Sequence, residues 1–86
     1  MKASIELTMS PLQDDYEQHI IDFIKRLRES EFEVLENPLA TQVYGEFAPM
    51  MSFLTQEMER SMEDTKAVLF YMKVVKTDRH DYQPFF

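Results

Sequence analysis

Apolar residues recur with two different periods in the first third of the chain. Ala3 to Met9 has an apolar side chain at every second position, the period of a strand with one buried face. From Asp14 to about Glu29 the apolar residues follow the helical period and form a single stripe. Ser10-Pro11-Leu12 separates the two patterns, and we expect Asp14 to cap the helix, with Glu17 completing a capping box.

The second half of the chain gives the same two periods in the opposite order. A turn is expected at Asn37-Pro38, because proline moves the preceding residue out of the helical region. Pro49 fits the first turn of a second helix. The predicted elements are a strand at Phe32–Glu36, a strand at Thr41–Phe47, a helix at Pro49–Met62 and a strand at Lys66–Lys76. The predicted core positions of the second helix are Met51, Leu54, Met58 and Met62.

The order β-α-β-β-α-β restricts the fold. Short connections and right-handed crossovers favour a ferredoxin-like α+β sandwich, with a four-stranded antiparallel sheet and both helices on one face. A chain of 86 residues has room for one small core, so we predict a single domain over residues 1–86, with a flexible tail from about residue 78.

The other face of such a sheet has nothing in the chain to cover it. A solvated face should not carry Leu69, Tyr71 and Val75 together, so we expect a partner subunit or a ligand to cover it. The polar side chains expected on this face are Glu6, Thr8, Gln42, Tyr44, Glu46 and Lys73.

Gly45 is the only glycine, and it lies inside a predicted strand. A strand glycine gives up side-chain packing, so it often marks a place where another group approaches the backbone closely. That group is either one of the chain's own helices or a ligand, and the sequence leaves both interpretations open.

Composition excludes several classes of function. The net charge of −7 argues against a nucleic-acid partner, which requires a basic surface. There is no cysteine, no visible signal peptide and no apolar run of membrane-spanning length, so we expect a cytoplasmic protein without a membrane partner. No nucleophile–base pair, phosphate loop or metal-ligand spacing is visible. We therefore expect no catalysis, no bound metal and no cofactor.

Four segments carry a resemblance to a known family: IELTMSPL, HIIDFIKRLRES, NPLATQVYGEF and the closing TDR. Together they resemble the YkoF-like thiamine-binding family over roughly residues 3–79. The resemblance implies a ferredoxin-like domain that binds thiamine or its hydroxymethylpyrimidine moiety in a homodimer or homotetramer. Two departures are Ser10, where many relatives have tyrosine before the proline, and Tyr44, where many have an acidic residue before the glycine.

Thiamine joins an aminopyrimidine edge to a cationic thiazolium. The edge suits carboxylate, amide or hydroxyl groups, and the cation suits aromatic faces and negative charge. The residues that we predict to contact the ligand are Thr8, Ser10, Asn37, Thr41, Gln42, Tyr44, Gly45, Glu46 and Tyr71. The carboxylates, amides and threonines among the candidates also fit ordinary strand or turn positions, and the tyrosines also fit a subunit interface.

Two other functions stay open at this point. Ferredoxin-like chains also form dimeric enzymes, such as isomerases and monooxygenases, and a cavity between helix and sheet that holds His19 or a perturbed carboxylate would favour that interpretation. A structural or regulatory oligomerisation module would instead present a dry, packed face without a polar pocket.

Overall fold

A computed structural model describes residues 1–86. It contains four strands and two helices in the predicted order. They are β1 (Lys2–Pro11), α1 (Tyr16–Arg28), β2 (Glu33–Glu36), β3 (Thr41–Glu46), α2 (Phe47–Asp64) and β4 (Val68–Lys76). Neither helix combines the length and the apolar composition that crossing a lipid bilayer requires.

The strands form one antiparallel sheet in the order β2-β3-β1-β4. β1 lies in the middle, so that Ile5 is opposite Val43 on one side and Val74 on the other. Each helix connects two strands that are separated by one intervening strand, which is the split βαβ arrangement. The predicted ferredoxin-like fold is therefore confirmed.

The core lies between the helices and one face of the sheet. Alternation along β1 places Ala3, Ile5, Leu7 and Met9 on this face. The rest of the buried apolar cluster consists of Phe23, Leu27, Val43, Met50 and Leu54. Burying each larger side chain contributes about 1.5–3 kcal/mol, so these few residues supply most of the driving force for folding.

The beginning of α1 differs from the prediction. The helix starts at Tyr16 with Asp15 in the cap position, and no side chain caps it, so the predicted capping box at Asp14 is wrong. Asp15 instead binds Gln13 and pairs with His19 one turn later, at 3.3 Å. β1 also continues to Pro11, two residues past its predicted end, because Pro11 still pairs with Val68.

The stripe of α2 is rotated relative to the prediction. The helix begins at Phe47, directly after β3, and its buried positions include Met50 instead of Met51. Met62, predicted in the core, is 54% exposed, and Ser61 is buried in its place. Ser61 accepts a hydrogen bond from Arg26 of α1 at 2.9 Å, so a polar contact between the helices ends the apolar stripe early.

No helix or strand packs against the second face of the sheet. The register places Thr8 opposite Tyr71 and Ser10 opposite Leu69 on this open face. Tyr71 is 61% exposed, and Leu69 is also exposed. The predicted assignment of residues to the two faces is thus confirmed along β1, β3 and β4.

Candidate functional site

A cavity of about 170 Å³ lies between α1 and the end of the sheet where β2 turns into β3. We call it the helix–sheet cavity. Helical spacing puts Ile20, Phe23 and Ile24 on the side of α1 that faces it. The other lining residues are Leu7, Thr8, Met9, Asn37, Pro38, Leu39, Ala40 and Thr41.

Thr41 is the buried polar residue of this cavity. It stands opposite Leu7 on the helix side of the sheet and is only 7% exposed. Its hydroxyl makes no hydrogen bond within the chain, while no fully enclosed side-chain oxygen or nitrogen lacks a partner. The hydroxyl therefore opens into the cavity, where it can both donate and accept a hydrogen bond.

Asn37 shapes the turn that forms the rim of the cavity. Its Oδ1 accepts hydrogen bonds from the backbone amides of Leu39, at 2.8 Å, and Ala40, at 3.0 Å. This is the local side-chain turn that asparagine favours, and the following proline supports it. Because the amide oxygen is occupied, the Asn37 NH₂ group remains as a donor at the rim. Thr8 donates a hydrogen bond to the Leu39 carbonyl at 3.3 Å.

A second concavity, of about 420 Å³, lies at the opposite end of the sheet. We call it the acidic cleft, because four carboxylates line it. Lys2 and His80 are the basic side chains of the lining. Its lining residues are Lys2, Glu31, Phe32, Glu33, Tyr44, Gly45, Glu46, Pro49, Asp78 and His80. No group of three or more His, Asp or Glu side chains is placed to hold a metal ion.

Four ionisable groups of the cleft have shifted pKa values. Hydrogen bonds from the N-terminal ammonium group and from His80 lower the pKa of Glu46 and of Asp78, respectively. Burial raises the pKa of the Tyr44 phenol, and the neighbouring carboxylates of Asp78 and Glu33 raise it further. The hydrogen bond to Asp78 raises the pKa of His80, and the negative charge of Glu33 adds to this. The cleft therefore favours protonated Tyr44 and His80 beside ionised Glu46 and Asp78.

Gly45 lies in the acidic cleft, and the chain itself explains its lack of a side chain. A Cβ at this position would lie 2.7 Å from Cδ1 of Phe32. The Phe32 ring in turn packs against Phe53 of α2, with ring centroids 5.6 Å apart. The close approach is thus made by an aromatic ring that precedes β2, and not by a helix backbone or a ligand.

The predicted ligand-contacting residues fall into three places. Thr8, Asn37 and Thr41 meet in the helix–sheet cavity. Tyr44, Gly45 and Glu46 line the acidic cleft. Ser10, Gln42 and Tyr71 lie on the open face, where Gln42 accepts a hydrogen bond from the Tyr44 hydroxyl at 3.1 Å. No single cavity therefore contains all nine.

The apolar walls of the helix–sheet cavity were not predicted as site residues. Ile20, Phe23 and Ile24 belong to the stripe of α1, which has the same spacing in a core as in a ligand cavity. Leu39 follows the Asn37-Pro38 turn, and its exposure is visible only in three dimensions. The only signal in the sequence was that polar Asn37 and Thr41 flank a short apolar stretch.

No family model matches the chain, and no curated protein matches it. Solved structures do match. Protein SP2199 from Streptococcus pneumoniae is 28% identical, with a TM-score of 0.84 over 91% of this chain and 89% of that chain. A "putative thiamine biosynthesis/salvage protein" from Thermotoga maritima is 16% identical, with a TM-score of 0.81 over 90% and 85% of the two chains.

A domain of unknown function, DUF77, from Bacillus cereus is 11% identical, with a TM-score of 0.76 over 91% of this chain and 78% of that chain. At these identities the likenesses to the Thermotoga maritima and Bacillus cereus proteins show the fold alone. They support the predicted family resemblance at that coarse level.

Proposed function

We propose that the protein binds a small heteroaromatic molecule, thiamine or its hydroxymethylpyrimidine moiety, in the helix–sheet cavity, as a homo-oligomer and without catalysis. The observation that carries the proposal is Thr41, a buried residue of an apolar cavity whose hydroxyl is accessible and has no hydrogen-bond partner in the chain. Asn37 adds an amide donor at the rim of the same cavity, whereas the Thr8 hydroxyl, on the open face, donates to the Leu39 carbonyl. The description of the Thermotoga maritima neighbour as a thiamine biosynthesis/salvage protein supports this class of ligand.

The composition of the cavity suits a flat ring with polar edges. Small-molecule sites are mostly apolar, with a few polar groups that fix orientation. Apolar side chains of α1 lie along one wall, and Thr41 and Asn37 offer a hydroxyl and an amide donor. An aminopyrimidine carries an amine donor beside ring-nitrogen acceptors, so it can use both kinds of group.

The volume of the cavity favours the pyrimidine over the whole vitamin. Sites for drug-sized ligands typically measure about 300–1,000 Å³, whereas this cavity measures about 170 Å³. A single ring is therefore the better fit, and the thiazolium of thiamine would remain outside. The acidic cleft cannot hold the thiazolium of the same ligand, because Thr8 lies six positions along β1 from Lys2, a span of about 20 Å.

The open face supports the proposed self-association. Leu69 and Tyr71 are large, apolar and exposed there. Contiguous apolar surface of this kind is typical of interaction sites. Sedimentation of the purified protein at several concentrations measures its oligomeric state.

No specific observation favours an enzymatic function. The helix–sheet cavity is walled by helix and sheet within one subunit, as the enzyme alternative requires. Its lining, however, contains neither His19 nor any carboxylate, so the second part of that condition is not met. Absence of catalysis remains a prediction.

Titration calorimetry with hydroxymethylpyrimidine and with thiamine tests the proposal. We expect saturable binding of both, with similar affinity, because the shared pyrimidine occupies the cavity. Thr41→Val keeps the shape but removes the hydroxyl, so both affinities should fall about fivefold, the equivalent of about 1 kcal/mol for one hydrogen bond. Without ligand, the stability of this variant should be close to that of the wild type, because the substitution removes no hydrogen bond within the chain.

The matched control is Thr55→Val, the same substitution at an exposed position of α2. It should leave both affinities unchanged. Asn37→Asp adds a second test, since it keeps the oxygen that holds the turn and replaces the NH₂ donor. No saturable heat with either compound, or equal affinities for wild type and Thr41→Val, would contradict the proposed site.

A further inference from the structure

The chain does not leave the fold at the end of β4. It turns at Thr77 and passes back along the open face, and we call Thr77–His80 the C-terminal latch. Ser4, which is buried, donates a hydrogen bond to the Thr77 carbonyl at 2.7 Å and accepts one from the Arg79 amide at 2.8 Å. The Thr77 amide also donates to the Lys2 carbonyl at 3.0 Å. Three hydrogen bonds thus hold the latch against β1.

The turn that begins the latch is strained. Thr77 has a φ of 96° and is the only residue other than glycine with a positive φ. A β-branched residue rarely adopts this conformation, because its side chain clashes with the backbone. Such a residue persists only where surrounding contacts hold it. The closed latch therefore depends on its contacts with the rest of the molecule.

His80 makes the contact at the end of the latch. Its Nδ1 lies 2.6 Å from Oδ1 of Asp78, and its Nε2 lies 3.7 Å from Oε2 of Glu33 on the edge strand β2. The ring stands edge-on to Tyr44, with centroids 6.1 Å apart. The imidazole of His80 thus connects the latch to the edge strand β2. It lies over Tyr44, which is only 8% exposed.

The groups that face His80 are predominantly negative. Asp78 and Asp81 lie within or next to the latch, Glu33 belongs to β2, and the Tyr44 phenol belongs to β3. The same cleft also contains Glu31 and Glu46, with Lys2 as the cation of β1. A protonated imidazole donates from both nitrogens and can serve both flanking carboxylates, whereas the neutral ring has only one N–H.

We propose that the C-terminal latch is a pH-sensitive cover over Tyr44, closed when His80 is protonated and released when it is neutral. Loss of the proton removes the positive charge between Asp78 and Glu33. The strained turn at Thr77 then loses one of the contacts that keep it in place. Release uncovers Tyr44 and opens one wall of the acidic cleft. This device lies at the other end of the sheet from the helix–sheet cavity and does not depend on a ligand there.

The direction of the pH dependence follows from linkage. The Asp78 hydrogen bond, with the charges of Asp78, Glu33 and Asp81, raises the pKa of His80 above its ordinary 6.5. Release removes the contribution of Glu33 to this shift, so the stabilisation of the closed latch is fully present below the lower pKa that His80 has in the released state. It is lost as the pH rises through the raised pKa of the closed state.

Nuclear magnetic resonance on the full chain tests the proposal. The ring signals of His80 report its pKa, and the exchange protection factor of the Arg79 amide reports closure, because that amide donates to Ser4. Between about pH 5 and pH 9 we expect the protection factor to fall, by about tenfold for each unit by which closure raises the His80 pKa.

Two histidines in the chain provide a matched pair of variants. His80→Gln removes the charge, so the Arg79 amide should be weakly protected at both ends of the pH range. His19→Gln, on α1 and away from the latch, should leave the pH-dependent change intact. Thr77→Gly relieves the positive φ, so its latch should stay closed to a higher pH than in the wild type.

Three results would overturn the proposal. One is a His80 pKa at or below 6.5 in the folded protein. Another is equal protection of the Arg79 amide across the pH range. The third is a pH-dependent change that survives in His80→Gln.

Discussion

The helix–sheet cavity and the acidic cleft lie at opposite ends of the same sheet and are built from different chemistry. The cavity has no ionisable side chain in its lining and is shaped by packing of α1 against β1. The cleft is lined by four carboxylates, a lysine and a histidine. The contacts of His80 with Asp78 and Glu33 form one of its walls. Packing responds little to pH or salt, whereas exposed charge contacts respond to both. One small fold can therefore combine a fixed site with a condition-dependent one.

Truncation of a cavity wall should have the largest effect. Phe23 is buried and packs edge-on against Phe70, with ring centroids 5.4 Å apart. Phe23→Ala should lower the free energy of unfolding by about 3–5 kcal/mol, because a large void replaces the ring. Denaturant unfolding measures this change.

The control for Phe23 is Phe85→Ala, at a residue that is almost fully exposed, and its stability should equal that of the wild type. If Phe23→Ala does not fold, Phe23→Leu should show a smaller loss of the same sign. Little loss in either variant would mean that packing does not hold the cavity end together.

A side chain at Gly45 should have an intermediate effect at the cleft end. Its Cβ would lie 2.7 Å from Phe32, so the ring or the strand must move. Gly45→Ala should cost about 1–3 kcal/mol of stability by overpacking, again measured by denaturant unfolding.

The double variant Gly45→Ala with Phe32→Leu separates overpacking from other causes. The smaller side chain should make the alanine less costly than it is in the wild-type background, which a double-mutant cycle detects. Additive losses would show that Phe32 is not the obstacle.

Neutralising one carboxylate near His80 should have the smallest effect. It changes the charge of the cleft and, with it, the pKa of His80. Asp78→Asn removes the largest cause of the raised His80 pKa, so that pKa should move down toward its ordinary value. Asp81→Asn should move it less, because Asp81 acts only through its charge. Ring signals of His80 followed during a pH titration measure both shifts. Equal shifts of the His80 pKa in the two variants would show that the hydrogen bond to Asp78 is not the main cause of the raised value.

Much of the fold could be predicted from the sequence. The period-two alternation of Ala3 to Met9 and the stripe of α1 specified the elements, and their order left one favoured topology. The same alternation assigned side chains to the core or to the open face, since a shift by one residue would expose the core. The element boundaries are less predictable, because the start of a helix depends on side-chain contacts such as those of Asp15 with Gln13 and His19.

The sites depended on the tertiary structure. Residue type and motif predict nine ligand residues, and the fold divides them between the cavity, the cleft and the open face. Periodicity could not anticipate this division, because it fixes the face of a residue but not which distant segments meet at a given end of the sheet.

What the sequence by itself determined was the class of fold, the antiparallel sheet with two helices on one side, and the existence of an uncovered face. Only the tertiary structure decided that Thr41 opens into a cavity, that Phe32 requires Gly45, and that the residues after β4 return to Ser4. The physical reason is that secondary structure follows from local periodicity, whereas these contacts join residues 13 to 75 positions apart, as in Gly45–Phe32 and Arg79–Ser4.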